Sequence, residues 1–83
     1  MKVTVKYFAS IREAIGAGSE QLETSAATLA ALRDELIARG GEHAESLARG
    51  KSVRLALNQA MCDESAALAD GAEVAFFPPV TGG

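Results

Sequence analysis

Two alternating segments, one near each end of the chain, constrain the fold more than any other feature. KVTVKYF (residues 2–8) and AEVAFF (residues 72–77) alternate and are rich in β-branched and aromatic side chains. This pattern is typical of strands that turn one face to a core. Because 83 residues suit one compact domain, we expect both strands in a single sheet.

Alternation assigns each strand two faces. One face of the first strand carries Val3, Val5 and Tyr7, and Phe8 falls on the other face with Thr4 and Lys6. In the last strand, Val74 and Phe76 share one face, whereas Phe77 lies opposite, with Glu73 and Ala75. If the face with Val3, Val5 and Tyr7 and the face with Val74 and Phe76 both pack on a helix, Phe8 and Phe77 both face solvent.

The main helix is predicted in TLAALRDELIARGG (residues 28–41). Its apolar stripe consists of Leu29, Leu32 and Leu36. Thr28 is expected to cap the N-terminus. Arg39 is expected in the last turn, where the helix dipole favours a cation, and Gly40–Gly41 should provide a left-handed stop.

Shorter elements fill the remaining chain. A helical turn should run from a capping Ser10 to Ile15 and end at Gly16 and Gly18. Residues 20–24 predict a weak edge strand with Leu22 inward, and residues 42–49 predict another helical turn.

A hairpin is predicted next. Residues 53–58 form a strand whose inward side chains are Val53, Leu55 and Leu57. A turn at Asn58–Gln59 then leads to a return strand at 60–62.

The resulting order, ββ-α-ββ-β, predicts an α+β domain of the ubiquitin-like β-grasp type, a mixed sheet with one main helix packed across it. The alternative is a ferredoxin-like split βαβ fold, which needs a second full helix before the last strand. DESAALADG (residues 63–71) is short and ends on the turn signal Asp70–Gly71, so the β-grasp is favoured. We expect the domain to span residues 1–77, and residues 78–83 to form a projecting tail.

Composition excludes several functions. The net charge is −3, and the eight Lys and Arg residues are scattered, which argues against a nucleic-acid partner. No apolar run approaches the roughly 20 residues of a membrane span, so no membrane partner is expected. A single cysteine, Cys62, and a start unlike a signal peptide predict a cytoplasmic protein.

The side chains offer no active site. One His and one Cys at unrelated positions cannot hold zinc, no phosphate-binding loop is present, and we predict no metal. His43 is expected to be a solvated histidine and Cys62 a structural thiol. Asp63 and Glu64 are expected to be solvated carboxylates.

The stretch FFPPVTGG (residues 76–83) draws attention to the α-carboxylate. Pro78 and Pro79 end the strand and stiffen the chain beyond it. Gly82 and Gly83 lack Cβ atoms and can pass through a narrow channel. The alternative is a frayed end with no role. Phe8 and Phe77 could form one exposed patch that marks an interface; alternatively, one of them folds over the domain edge.

Three segments carry a resemblance to a known family: KYFASIREAIG, LALNQAM and DGAEVAFFPPVTGG. Over essentially its whole length, the chain resembles the small, sulfur-carrying subunits of molybdopterin synthase, which are ubiquitin-like β-grasp proteins. Sulfur carriers of the thiamine pathway share the Gly-Gly ending but typically lack the Phe-Pro-Pro stem.

The resemblance implies a carrier that is not itself catalytic and binds no cofactor stably. An E1-like activating enzyme uses ATP to adenylate the Gly83 carboxylate, giving a transient AMP adduct, and a sulfur donor converts this adduct to a thiocarboxylate. The tail then enters the large synthase subunit, in a heterotetramer of two small and two large subunits. There the sulfur passes to a cyclic pyranopterin precursor and builds the dithiolene of the molybdenum cofactor.

The resemblance also implies residue roles. Gly83 carries the sulfur, and the inserted tail comprises Pro78, Pro79, Val80, Thr81 and Gly82. The hydrophobic surface that contacts both partners comprises Phe8, Met61 and Phe77. Arg12 is an interface charge or, equally, an ordinary solvated arginine.

Other functions remain open from the sequence. The chain could carry sulfur for thiamine, a tRNA base or an amino acid. It could also be a protein modifier joined to lysines, or a plain binding module.

Overall fold

Strands from both ends of the chain meet in one mixed sheet. The computed structural model describes residues 1–79. Within that range the elements are β1 (Lys2–Tyr7), α1 (Ala9–Ile15), β2 (Ser19–Glu23), α2 (Leu29–Ile37), α3 (Gly41–Ser46), β3 (Arg54–Leu57), β4 (Ala60–Cys62) and β5 (Glu73–Phe77).

The sheet has the strand order β2-β1-β5-β3-β4. β1 and β5 run parallel, with Val5 opposite Val74 and Tyr7 opposite Phe76, and the other pairs are antiparallel. This topology confirms the predicted α+β β-grasp. The ferredoxin-like alternative is wrong, because residues 63–72 form no helix before β5.

The core lies between α2 and one face of the sheet, which we call the inner face. Its largest fully buried side chains are Tyr7, Phe76, Leu29, Leu32, Leu36, Leu47, Val3, Val5 and Val74. Leu22, Val53, Leu57 and Cys62 are partly buried and pack against this cluster. The inward faces predicted from alternation are therefore confirmed, as is the packing role of Cys62.

The start of α2 agrees with the prediction, but its end does not. Thr28 caps the helix, since its hydroxyl oxygen accepts a hydrogen bond from the Ala31 amide at 3.2 Å. The helix stops at Ile37, so Arg39 lies beyond its last turn, and the predicted dipole contact is wrong. Gly40 and Gly41 do take positive φ, but they begin α3.

The start of α1 also differs from the prediction. Phe8 occupies the N-cap position without a side-chain cap, and Ser10 lies inside the helix, so the predicted Ser10 cap is wrong. Gly16 ends the helix in the left-handed conformation, as predicted, and its amide donates to the Arg12 carbonyl at 2.8 Å.

The remaining connections follow the prediction. β2 is an edge strand. Asn58 and Gln59 both have positive φ, which is the backbone of a type I′ hairpin turn. None of the helices in residues 1–79 is long and apolar enough to cross a bilayer. β5 ends at Phe77, directly before Pro78.

Candidate functional site

The face of the sheet opposite the core, the outer face, carries an apolar patch. Phe8 and Phe77 lie there as a stacked pair, with ring centroids 4.6 Å apart and an angle of 10° between the planes. Phe8 is 39% exposed, and Phe77 is half-buried. The prediction that both rings lie on one exposed surface is confirmed. The alternative, in which one ring folds over the domain edge, is wrong.

Met61 extends this patch across the sheet. It lies opposite Ala56 in the β3–β4 register, and Ala56 lies opposite Ala75 in the β3–β5 register. Met61 is 59% exposed. The two alanines are buried, although they belong to the outer face, because their small side chains lie among larger neighbours. We call Phe8, Phe77, Met61, Ala56 and Ala75 the outer patch.

Charged side chains border the outer patch. Lys6 pairs with Glu73 at 3.3 Å. Arg54 lies directly opposite Phe77 in the β3–β5 register and is exposed. Arg12 is exposed on α1, but its guanidinium lies close to Gly18, in the connection to β2, and no contact among the described residues places it at this border. An apolar centre with a charged rim is the usual anatomy of a protein interface.

The stem of the predicted tail begins beside the outer patch. Pro78 is half-buried and Pro79 exposed. Both line a concavity of about 270 Å³, and its other lining residues are Ser10, Ile11, Ala14, Ser46, Lys51 and Val53. The stem therefore starts against the domain, between α1 and the segment that precedes β3. Val80, Thr81, Gly82 and Gly83 lie outside the described residues, so the roles predicted for them stay predictions.

A polar cluster joins β1 and β2 to the helices, and the sequence did not predict it. Glu20 accepts hydrogen bonds from the Tyr7 hydroxyl at 2.8 Å and from Arg39 at 2.8 Å. His43 Nε2 lies 3.1 Å from the same carboxylate, and the His43 ring makes an edge contact with Tyr7. The side chain of His43 is only 20% exposed, so the prediction of a plain solvated histidine is wrong.

The pKa values in this cluster follow its contacts. Burial raises the pKa of Glu20, but the hydrogen bonds from Arg39, Tyr7 and His43 outweigh burial, so the pKa lies below its ordinary value. Burial, followed by the hydrogen bond to Glu20, raises the pKa of Tyr7 well above its usual range. The cluster therefore holds a carboxylate and a neutral phenol at neutral pH, which suits a structural link.

A buried arginine forms a second unpredicted network. Arg33 is only 3% exposed. Its guanidinium donates to the carbonyls of Leu47, Ala48 and Lys51 at 2.8, 2.7 and 3.1 Å, and to Glu64 at 3.2 Å. These bonds fix residues 47–51, which lead to the concavity beside the stem.

Arg49 completes the network from the surface. It pairs with Glu64 and with Asp34, so Glu64 bridges two arginines, and the prediction that it is simply solvated is wrong. One signal could have identified Arg33: it lies four residues after Leu29, on the same helical stripe as Leu32 and Leu36. No sequence-local signal marks the contact of His43 with Glu20, which joins residues 23 positions apart.

Acidic, histidine and cysteine side chains do not cluster as metal ligands in the part of the chain that the structure describes. Within residues 1–79, no group of three His, Cys, Asp or Glu side chains is placed to hold a metal ion. The outer patch lies on and around β5, the strand that leads to the stem.

The sheet is mixed, its first and last strands are parallel, and one main helix packs across it. This architecture defines a protein of the ubiquitin-like β-grasp class. The model of the ThiS family matches residues 5–83. The chain therefore belongs to the ThiS family.

Individual relatives are more specific. The chain is 43% identical over 81 residues to the molybdopterin synthase sulfur carrier subunit of Haemophilus influenzae, covering 98% of this chain and 99% of the relative. It is 40% identical, with the same coverage, to the protein of that name from Escherichia coli K12. These similarities confirm the resemblance noted from the sequence.

A solved structure from Helicobacter pylori 26695 is described as the protein–protein complex of subunits 1 and 2 of molybdopterin-converting factor. One of its chains is similar in structure to this chain, with a TM-score of 0.70 and 28% sequence identity. The match covers 100% of both chains.

Proposed function

We propose that this chain is the sulfur carrier subunit of a molybdopterin synthase. The observation that carries the proposal is the 43% and 40% identity, over nearly the full length, to two proteins of that name. The outer patch supports it, because a carrier without its own active site must bind the enzymes that act on it.

In the proposed chemistry, Gly83 is the residue that changes. A carboxylate is a poor electrophile, so its oxygen first attacks the α-phosphate of ATP on an activating enzyme. Pyrophosphate leaves, and an acyl-adenylate forms. A sulfur donor then displaces AMP, and the product is a thiocarboxylate whose anionic sulfur is nucleophilic, as a thiolate is. The carrier supplies only the carboxylate, and its partners supply the acid–base groups and the ATP site.

The two parts of the candidate site have separate roles in this proposal. The outer patch, through Phe8, Phe77 and Met61, contacts the large synthase subunit and the activating enzyme, and Arg12 on α1 adds an interface charge. The segment from Pro78 to Gly82 enters the large subunit. There the thiocarboxylate delivers sulfur to a cyclic pyranopterin precursor, as one of the two sulfurs of the dithiolene.

Intact-mass analysis tests the loading step. The chain is incubated with an activating enzyme, ATP and a sulfur donor. We expect one oxygen of the C-terminal peptide to be exchanged for sulfur. A variant with one alanine added after Gly83 is the control: it should melt as cooperatively as the parent but acquire no sulfur. An unchanged mass of the parent, with partners that load another carrier, would contradict the proposal.

A second assay tests the pathway. The sulfur-loaded chain is mixed with the large synthase subunit and the pyranopterin precursor, and formation of the dithiolene product is measured. Product formation is expected. Sulfur loading without product would instead identify a carrier for another pathway.

A further inference from the structure

Arg54 differs from most of the other arginines in its contacts. Arg33, Arg39 and Arg49 each pair with a carboxylate of this chain. Arg54 forms neither a side-chain hydrogen bond nor an ion pair with any residue in the part of the chain that the structure describes. Its side chain is exposed, so no residue from 1 to 79 takes up its guanidinium donors, which can bind water or a partner.

The position of Arg54 brings that charge to the outer patch. It is the first residue of β3 and faces Phe77 across the β3–β5 pair. Ala56, two residues further on the same face, lies opposite Met61. A partner that covers Phe77 and Met61 must therefore cover the base of the Arg54 side chain as well.

Covering this arginine has a physical consequence. A charge that loses water without gaining a partner is strongly unfavourable. The nearby cation Lys6 is already paired with Glu73, whereas Arg54 is in no ion pair among residues 1–79, although Asp63 lines a concavity together with it. A guanidinium is best satisfied by a carboxylate, which can accept two parallel hydrogen bonds.

We propose that Arg54 is a specificity-determining residue, and that the protein covering the outer patch places a carboxylate against it. The partner surface is thus an apolar pocket with an aspartate or glutamate at the edge that meets β3. The identity of this partner as the large synthase subunit rests on the proposed function.

Binding measurements test the inference. The affinity of the full chain for the large subunit is measured by calorimetry for the wild type, Arg54→Ala and Arg54→Glu. Truncating one partner of an interfacial charge pair typically weakens binding strongly. We expect Kd to rise about tenfold for Arg54→Ala and about 100-fold for Arg54→Glu. The wild type should also lose more affinity than Arg54→Ala when salt is raised.

Lys2→Glu is the matched control. It makes the same change in net charge as Arg54→Glu, but at an exposed position of a different strand, β1. The side chain of Lys2 is in no ion pair with the described residues. We expect its Kd to change less than about threefold, because only long-range attraction is altered. Equal losses for Lys2→Glu and Arg54→Glu would overturn the inference.

A charge exchange gives the sharper result. Exposed acidic residues of the large subunit are changed to lysine one at a time and tested against Arg54→Glu. One of them should restore at least about tenfold of the lost affinity, and failure of every exchange would overturn the inference. If the wild type loads sulfur but does not bind the large subunit at all, the proposed pathway fails, and this inference fails with it. If the wild type binds and Arg54→Glu binds equally well, only the inference fails.

Discussion

The two faces of the sheet come from the same strands but have opposite properties. On the inner face Val74 and Phe76 are fully buried. Within residues 1–79, no buried side-chain nitrogen or oxygen lacks a hydrogen-bond partner. On the outer face, Phe8 and Met61 remain exposed although they are large and apolar. A single-residue step along a strand therefore separates residues that stabilise the fold from residues available to a partner.

This contrast is clearest at Phe76 and Phe77, two identical side chains in adjacent positions. Phe76 packs beside the Tyr7 ring, with centroids 6.1 Å apart, whereas Phe77 stacks on Phe8 at the surface. The pair offers an internal control, because the chemical change in each substitution is the same.

The largest effect is expected for Phe76→Ala. Removing a fully buried ring leaves a cavity and should lower the free energy of unfolding by about 3–5 kcal/mol. Phe77→Ala loses the surface stack and should lower it by only about 1 kcal/mol. Urea denaturation of both variants measures the difference. Equal losses would show that the two faces contribute alike to stability.

For binding, the larger effect is expected from Phe77→Ala and the smaller one from Phe76→Ala. Phe77→Ala should raise Kd for the large subunit by at least about tenfold, since buried aromatics often dominate interfaces. Phe76→Ala, measured under conditions where it remains folded, should leave Kd nearly unchanged.

The next largest effect on stability is expected for Arg33→Ala. This substitution removes the guanidinium donors from the carbonyls of Leu47, Ala48 and Lys51, although the carbonyls of Ala48 and Lys51 each keep one backbone amide donor. Because Glu64 also loses one of its two arginine partners, the change should lower the free energy of unfolding by about 3 kcal/mol. Lys51→Ala is the control in the same loop, because Lys51 is exposed, and should have an effect of about 0.5 kcal/mol or less. A loss in Arg33→Ala no larger than in this control would show that residues 47–51 hold their place without the guanidinium.

A smaller effect, visible through pH, is expected at Glu20. Its pKa is lowered in the folded chain, so its contribution to stability is present above the pKa of the unfolded chain. That contribution is lost as pH falls through the folded pKa. Glu20→Gln should therefore lower stability by about 1 kcal/mol at pH 7 and match the wild type at acidic pH. Stability curves against pH check this, with the exposed Glu45→Gln as control. A gap between wild type and Glu20→Gln that persists in acid would contradict the assignment.

The smallest effect on stability is expected at Met61. Because its side chain is 59% exposed on the edge strand β4, Met61→Gln should change the free energy of unfolding by about 0.5 kcal/mol or less. Its Kd for the large subunit should nevertheless rise severalfold, through loss of apolar contact. Unchanged binding would remove Met61 from the interface.

The sequence predicted the features that depend on local periodicity. Alternation placed Val3, Val5 and Tyr7 inward and separated Phe76 from Phe77, because a strand repeats every two residues. The family resemblance added Met61 to the same surface. Helix ends were less predictable: Arg39 and Ser10 suit the predicted capping positions by type, but α2 ends at Ile37, before Arg39, and Phe8 takes the N-cap position of α1.

Polar contacts over long separations were missed for a different reason. Arg33 and Glu64 are 31 positions apart, and their contact exists only once α2 and the segment after β4 are in place. The spacing of Arg33 could have indicated that it is buried, but the sequence does not reveal which distant groups accept its hydrogen bonds. His43 was misjudged in the same way.

The central place of β5 has a mechanical consequence. A strand near the end of a chain ordinarily frays, but β5 is hydrogen-bonded to β1 on one side and β3 on the other. A pull on the stem is thus carried by two ladders at once and reaches strands from both halves of the chain. We expect the β5 amides to be among the slowest to exchange with deuterated solvent, so a partner that draws in the stem would pull on a strand that is held on both sides.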